Sequence, residues 1–396
     1  MEEYQKNRRK EFDLNMNIIK NILKTNKIMY LLYSTIMNLL LKILSLFIKV
    51  DDKTILFNSF GGKKFDDSPR VIFEYMISSE KYNNFKFYWV FDNPEKYSIE
   101  KANIIKNNSL KFFIIALKSK YWITNSGIER GLKFKNKKTI YINTWHGTAI
   151  KHIGKDENNL KIKFNTSKPD IMYAQSNYDI NIFSHVFDIP KENIILTGLP
   201  RNDELKNVTK KEIDRIKKEL NIPLNKKVIL YAPTFREYTR DKNGCILEPP
   251  INLKLWEQEL GNEYILIFRA HYEVNKILGI KESNFVKNYS DYPKLNDLLK
   301  ISDILISDYS SIMIDYSILE RPIFNYTYDY NEYKTKRGMY FELSEKLPNN
   351  CIEKEEILLD RIKNIDIKKE SEKTIKFKEE FVEKYGEARK YIDQII

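Results

Sequence analysis

KKVILYAPTFRE, residues 226–237, decides how the chain divides. Five apolar residues, 228–232, stand between two lysines and Pro233, so the run reads as a buried strand followed by a loop. It follows one complete series of strands and helices and begins another. Upstream, KTILFNSF (53–60), FKFYWVFD (85–92), YWITNSG (121–127), KTIYINTWHGT (138–148), DIMYAQSNYD (170–179) and NIILTGLPRND (193–203) supply strands and loops, with helices at RVIFEYMISS (70–79) and SLKFFIIALKSK (109–120). Downstream, EYILIFRAHY (263–272), NFVKNYS (284–290), DILISDYSS (303–311) and RPIFNYTYD (321–329) alternate with helical YPKLNDLLKIS (292–302) and IMIDYSILE (312–320). Alternation at this spacing predicts an α/β chain of two doubly wound, mostly parallel domains, joined between residues 198 and 225.

In open parallel sheets, ligands sit at the carboxyl ends of the strands. The loops at 58–68, 125–130, 143–154, 198–203, 232–240, 269–274 and 307–312 are therefore the parts to read. They hold His146, His152, His271, Arg201, Arg236, Arg269, Asp308, Ser310 and Ser311, whereas His185 falls in a helical stretch. SDYSSIMIDYS (307–317) puts Ser310 and Ser311 before an apolar helical pattern, where free backbone N–H groups can receive phosphate or the serines can simply cap the helix. Arg269 and His271, two apart at a strand end, can project to one side as phosphate ligand and proton donor, or Arg269 can form a structural ion pair. His146, between Trp145 and Gly147, has the setting of a general base of near-neutral pKa; a core histidine bonded to a carbonyl is the alternative. Gly147, Thr148, Lys151 and Gly154 mark a loop that meets a ligand.

The 396 residues carry a net charge of +12, 26 tyrosines and 22 phenylalanines, with 42% of residues apolar. That is enough apolar material for two or three cores and excludes wholesale disorder. The positive charge implies anionic partners. Lysine alternates with acidic residues along the whole chain, and no nucleic-acid signature is present, so nucleic acid is not among the expected partners. Cys245 and Cys351 have no metal or redox spacing, and no His/Cys/Glu set has metal spacing, so no metal is expected. The GxxxxGK[ST] and GxGxxG phosphate motifs are absent, and no cofactor is expected.

Residues 1–50 have nine Lys/Arg against four Asp/Glu and include the apolar run IMYLLYSTIMNLLLKILSLFIKV (28–50). Asn38 and Lys42 interrupt it, and no small-residue cleavage site follows. Basic residues beside an apolar helical face predict a helix lying in an anionic membrane interface, with a helix packed on the first domain or a true membrane span as the alternatives.

Taken in order, TWHGTAIKHIG (144–154), GLPRND (198–203), YAPTFRE (231–237), RAHY (269–272), the stretch 307–329 and RGMYFE (337–342) resemble the CDP-glycerol glycerophosphotransferase family, which includes the primases and polymerases of wall teichoic acid and related capsule enzymes. SFGGKKFDDSPRVIFEYM (59–76) resembles its glycine-containing loop and following helix. The resemblance implies two Rossmann-like domains facing a central cleft, a glycosyltransferase B arrangement, peripheral to the cytoplasmic face of the cell membrane. The expected division is a basic membrane-associating segment at 1–50, an acceptor-side domain at 51–203, a donor-nucleotide domain at 204–375 and a terminal helix at 376–396. By this resemblance, His146 is the base on the acceptor hydroxyl and His271 stabilises charge at the donor pyrophosphate. Ser310, Ser311, Arg236 and Arg269 hold phosphate, Asp308 and Asp315 fix the loop or a donor hydroxyl, and Gly147, Thr148, Lys151 and Arg201 belong to the acceptor side or its loops.

The implied reaction transfers glycerol phosphate from CDP-glycerol to a lipid-linked acceptor, releasing CMP. Departures occur at Ala149 and Tyr272, where the family commonly has proline. CDP-ribitol remains an alternative donor. Other readings are a nucleotide-sugar transferase of the same fold and a membrane-surface protein that binds polyanions without turnover.

Overall fold

The structure is a computed structural model that describes residues 26–157, 166–236, 238, 245–248, 250–270, 274–277 and 280–396, with 245–247 and 274–277 described as backbone only. Two compact units emerge from its contacts. One is drawn from residues up to Phe65, Met76–Asn143 and Glu157–Ile171; the other from Asp66–Tyr75, Thr144–Asp156 and Met172–Ile396.

The first unit contains α1 (Lys27–Leu46) and the parallel strands β1 (Asp51–Asn58), β2 (Lys86–Phe91), β3 (Ala102–Lys106), β4 (Ser119–Thr124) and β5 (Ile140–Asn143), in the order β3-β2-β1-β4-β5. Between β1 and β2 runs α2 (Asp67–Ser78), and between β3 and β4 runs α3 (Leu110–Lys118). Ser109 opens α3 by accepting a hydrogen bond from the Phe112 N–H at 3.1 Å. Leu56, Val90, Ile105, Phe112, Ala116, Trp122 and Tyr141 form the core between α3 and the strands. β3 has no counterpart in the sequence reading: its ANIIK is short and mostly solvent-accessible, so it lacks a long apolar run.

β2 and β4 flank β1, so chain order reverses around it, and the loop after β1 lies at that switch point. This loop is fastened locally. Asn125 Oδ1 accepts from the Phe60 N–H at 2.8 Å, Ser126 Oγ from the Gly61 N–H at 3.0 Å, and Asn107 Nδ2 donates to the Gly61 carbonyl at 3.0 Å.

In the second unit, β6 (Ile171–Ala174) and β7 (Ile194–Leu196) pair in parallel around α4 (Asn177–Phe187), which Ser176 caps. Next come α5 (Lys210–Glu219) and β8 (Lys227–Ala232). β9 (Cys245–Leu247), α6 (Leu253–Leu260), β10 (Tyr264–Phe268) and β11 (Val274–Ile277) follow, and then β12 (Val286–Asn288). α7 (Leu295–Ile301), β13 (Ile304–Ser307), α8 (Ile312–Ser317), β14 (Ile323–Asn325) and α9 (Tyr330–Arg337) continue the chain. Parallel strands run in the order β12-β10-β8-β13-β14, and β9 pairs with β11 separately.

β8 shows why its sequence is continuously apolar. Val228, Leu230 and Ala232 enter one core with Ile216 of α5 and Leu298 of α7, while Ile229 and Tyr231 enter the opposite core with Trp256 of α6. Successive side chains point to opposite faces and both faces are covered, so neither tolerates a polar residue.

Candidate functional site

β10, β8 and β13 are neighbours with aligned carboxyl ends, because Phe268 pairs with Tyr231 and Ser307 with Ala232. Their loops, beginning at Arg269, Pro233 and Asp308, therefore emerge along one rim. Asp308 fastens two of them. Its Oδ1 accepts from the N–H groups of Thr234 at 2.8 Å and Tyr309 at 2.7 Å, and its Oδ2 receives Arg236 Nη1 at 2.9 Å. Arg236 also meets Asp329 with two donors, each at 2.7 Å, and lies within 4.9–5.2 Å of the rings of Tyr309, Tyr328 and Tyr333. Burial opposes this charge, yet Asp308 and Asp329 hold the guanidinium pKa well above its usual value. The structure thus assigns Arg236 a structural contact, binding the 233–236 loop to Asp308 and Asp329, and its described donors face carboxylates and a carbonyl.

Arg269 differs. Half-buried, it donates from Nη1 to the carbonyls of Tyr289 (3.2 Å) and Tyr292 (2.7 Å), and among the described residues it has no ion pair with a carboxylate. Burial pulls its pKa down. A cation in this state gains most from an anionic ligand. Ser310 Oγ accepts from the Ile312 N–H at 3.3 Å, whereas Ser311, at the N-cap position of the six-residue α8, makes no side-chain cap bond. Both serines are half-buried.

The 144–148 loop packs against this rim within the second unit. Trp145 has φ 51° and Gly147 φ 133°. A Cβ at Gly147 would lie 2.5 Å from Ser311 Oγ and 2.8 Å from Arg201 Nη2, so only glycine fits there. Trp145 is wedged against Phe187 (4.7 Å) and Phe183 of α4, with the His146 ring 4.1 Å away. The His146 carbonyl accepts from Arg201 Nη1 at 2.7 Å. That guanidinium also binds Asp67 at 3.0 Å and Asp315, which in turn receives Asn202 Nδ2 at 2.7 Å. Thr148 is buried and bonded to Asp179 and Gln175.

Downstream, residues 151 and 339 form a backbone bridge. A Cβ at Gly338 would lie 2.4 Å from His152 Nδ1, and Arg337 donates to the His152 carbonyl at 3.0 Å. Lys151 Nζ lies 6.0 Å from the centre of the Tyr333 ring.

The structure therefore brings together His146, Gly147, Arg201, Ser311 and Asp315, and separately Arg236 with Asp308. His271 lies outside the described residues. The sequence reading missed Asp67, Gln175, Asp179, Asn202 and Asp329, polar residues that are buried or nearly so and serve the loops from other segments. GLPRND contained one signal, since Asn202 beside Arg201 supplies donors for a buried acid. Among the described residues no group of three or more His, Cys, Asp or Glu could hold a metal ion.

Residues 40–396 match the family described as "CDP-Glycerol:Poly(glycerophosphate) glycerophosphotransferase". The chain is 33% identical to a teichoic acid glycerol-phosphate transferase of Staphylococcus aureus, over 88% of its own length and 91% of the relative's. It is 36% identical to a teichoic acid poly(glycerol phosphate) polymerase of Staphylococcus epidermidis over 88% of its own length, and spans 51% of that relative. Its fold is similar to that of the wall teichoic acid polymerase TagF. A histidine-to-asparagine variant of TagF soaked with CDPG superposes with a TM-score of 0.81 at 33% identity, covering 90% of this chain and 91% of the other.

Proposed function

Because the chain belongs to the CDP-glycerol:poly(glycerophosphate) glycerophosphotransferase family, and is thereby a glycerophosphotransferase of teichoic acid synthesis, we propose that it transfers glycerol phosphate from CDP-glycerol to a hydroxyl of a lipid-linked acceptor, releasing CMP, at the cytoplasmic face of the membrane. One observation carries the catalytic part. The loop bearing His146 is clamped by Arg201 and packed, with no room for a Cβ at Gly147, onto Ser311. This packing supports the reading of His146 as proton acceptor beside a phosphate-facing Ser310–Ser311 turn.

In the proposed step the acceptor oxygen attacks the β-phosphorus of CDP-glycerol. A new P–O bond forms, the bond from that phosphorus to the bridging oxygen breaks, and CMP leaves with the electron pair. His146 takes the hydroxyl proton. Arg269 and the Ser310–Ser311 turn hold the donor phosphates, and His271 stabilises the charge that develops between them. Asp308, Asp315, Arg201 and Arg236 act on this site by fixing its loops.

α1 supports the membrane part. Tyr30, Ser34, Met37, Leu41 and Leu44 recur at helical spacing and pack on the first unit, where Tyr30 Oη donates to the Gly131 carbonyl at 2.8 Å and Asn38 Oδ1 accepts from the Lys133 N–H at 2.8 Å. Its other face leaves Leu32, Ile36, Leu39, Leu40, Ile43 and Phe47 exposed, with Lys27 and Lys49 at its ends. One stripe on protein and one apolar stripe outward fit a helix lying along a bilayer surface.

A donor panel tests the reading. With lipid-linked acceptor in detergent, the purified protein is offered CDP-glycerol, CDP-ribitol and a UDP-sugar. The expected result is CMP formed fastest from CDP-glycerol. Preference for CDP-ribitol keeps the mechanism and changes the donor, and UDP formation without CMP overturns the reading.

A further inference from the structure

Behind the His146 loop the second unit holds one continuous chain of buried polar groups. Asp179, the third residue of α4, is fully buried. Its Oδ2 accepts from the Gln175 N–H at 3.1 Å and the Thr148 hydroxyl at 3.2 Å. Gln175 Nε2 donates to that same hydroxyl oxygen at 2.8 Å, and Gln175 Oε1 accepts from Asn202 Nδ2 at 3.2 Å. Asn202 passes the chain to Asp315 at 2.7 Å, and Arg201 closes it on Asp315 and on the His146 carbonyl. The loop is thus gripped on both sides of Gly147: at residue 146 through its carbonyl and at residue 148 through its hydroxyl.

The charges along this chain do not balance. Asp67, Asp179 and Asp315 are each at least nine-tenths buried, at 9%, 0% and 3% exposure. Against them stands one guanidinium, Arg201, which bonds to Asp67 and Asp315. Asp179 has two neutral donors on Oδ2, and among the described residues Oδ1 has no partner. An ionised carboxylate so placed carries a large desolvation cost, which a bound proton removes.

We propose that Asp179 is a positioning residue that works as a neutral carboxylic acid, seating the His146 loop through Thr148.

The charged groups facing it are Asp315, which opposes its ionisation, and Arg201, which favours it; Asp67 stands behind Arg201. At the exposed start of α4, Glu383 is engaged by Asn177 at 2.6–2.9 Å. Burial is the largest influence and pushes the Asp179 carboxyl up to about 7. The sign follows. The folded pKa lies above the unfolded value of ~3.9, so the stability this acid contributes is fully present below that value and is lost as pH rises through about 7. Above that range the carboxylate is buried with only Arg201 and the Thr148 and Gln175 donors to offset its charge, and that desolvation cost falls on the loop that Thr148 seats.

The test uses the full chain, its Asp179→Asn variant and its Thr148→Val variant. The first arm needs no substrate, so it stands apart from the transferase reading. Between pH 5 and 8 the Tm of Asp179→Asn, relative to the parent, rises by a few degrees. The parent at pH 5 also shows an infrared carboxylic-acid C=O band that the variant lacks. A Tm difference that stays constant with pH, or absence of that band, overturns the proposal. If Asp179→Asn fails to fold, titration of the parent's infrared band decides alone.

The second arm rests on the transferase reading and measures CMP release. The kcat/KM ratio of Asp179→Asn to parent rises several-fold from pH 6 to 8, while Thr148→Val lowers kcat about tenfold with little change in KM for CDP-glycerol. A ratio that is the same at every pH, in a protein that releases CMP, overturns the positioning role and leaves the transfer reaction standing. No CMP from the parent strikes the transferase reading, and the first arm still judges the proton on Asp179.

Discussion

Arg201, named in the sequence for the acceptor side or its loops, ties several loops of the site together. Its guanidinium is the cation shared by Asp67 and Asp315 and the donor to the His146 carbonyl. Removing it by Arg201→Ala leaves two buried carboxylates uncompensated, and the expected cost is about 3–5 kcal/mol, read as a fall in the denaturation midpoint with CMP release lost in parallel. A variant of parental stability would show that the two acids have another partner. Gly147→Ala is the sharper probe of the loop. Its φ of 133° and the 2.5 Å approach of Ser311 Oγ predict destabilisation above about 1 kcal/mol, with a larger loss of kcat than of stability. Normal kcat in Gly147→Ala would argue that the packing of this loop on Ser311 does not matter to transfer. Much of this was legible in the sequence at the level of residue type: His146, Gly147, Ser311 and Asp315 stand out in WHGT and SDYSSIMID. The partners were not, because Asp67, Gln175, Asp179 and Asn202 come from three other segments and only folding brings them together.

At the scale of elements, strands buried on both faces were the most legible, as β1, β2, β4, β8, β10 and β13 all follow from unbroken apolar runs. β3 escaped because an edge strand with one buried residue carries little pattern. Phosphate binding by the helix after Ser311 also reads differently once α8 is seen to be six residues long, since it brings the serines to the rim on a short turn. α1 packs one stripe on protein and exposes a second apolar stripe, which leaves the interfacial reading open to test. Ile36→Glu together with Leu39→Glu is therefore expected to lower partition onto vesicles containing anionic lipid by tenfold or more, and to leave Tm near the parental value, because both side chains are more than half exposed. Sedimentation with vesicles reads the first and calorimetry the second. Unchanged partition would place membrane contact elsewhere, and a collapse of Tm would make the exposed stripe part of the protein core.

For the whole molecule, chain order and spatial grouping part company. A division drawn at residue 203 follows the order of strands, whereas the contacts of Thr144–Asp156 and of Asp66–Tyr75 fall with Met172–Ile396. Long-range grouping of this kind leaves no periodic trace in a sequence, although the six motifs that point to the family do. The net charge of +12 also acts at this scale. Binding to anionic vesicles is expected to weaken severalfold between ~0.05 and ~0.5 M salt as the Debye length shortens, and salt-insensitive binding would leave the apolar stripe as the sole attraction.

The central claim is that His146 takes the acceptor proton as glycerol phosphate moves from CDP-glycerol. It is tested most directly by counting CMP released and phosphodiester formed in one reaction, with lipid-linked acceptor, for the parent and for His146→Ala. The account predicts one CMP per new phosphodiester in the parent and a fall in kcat of about 10²–10⁴-fold in the variant, with Tm unchanged. Parental rates from His146→Ala would contradict it.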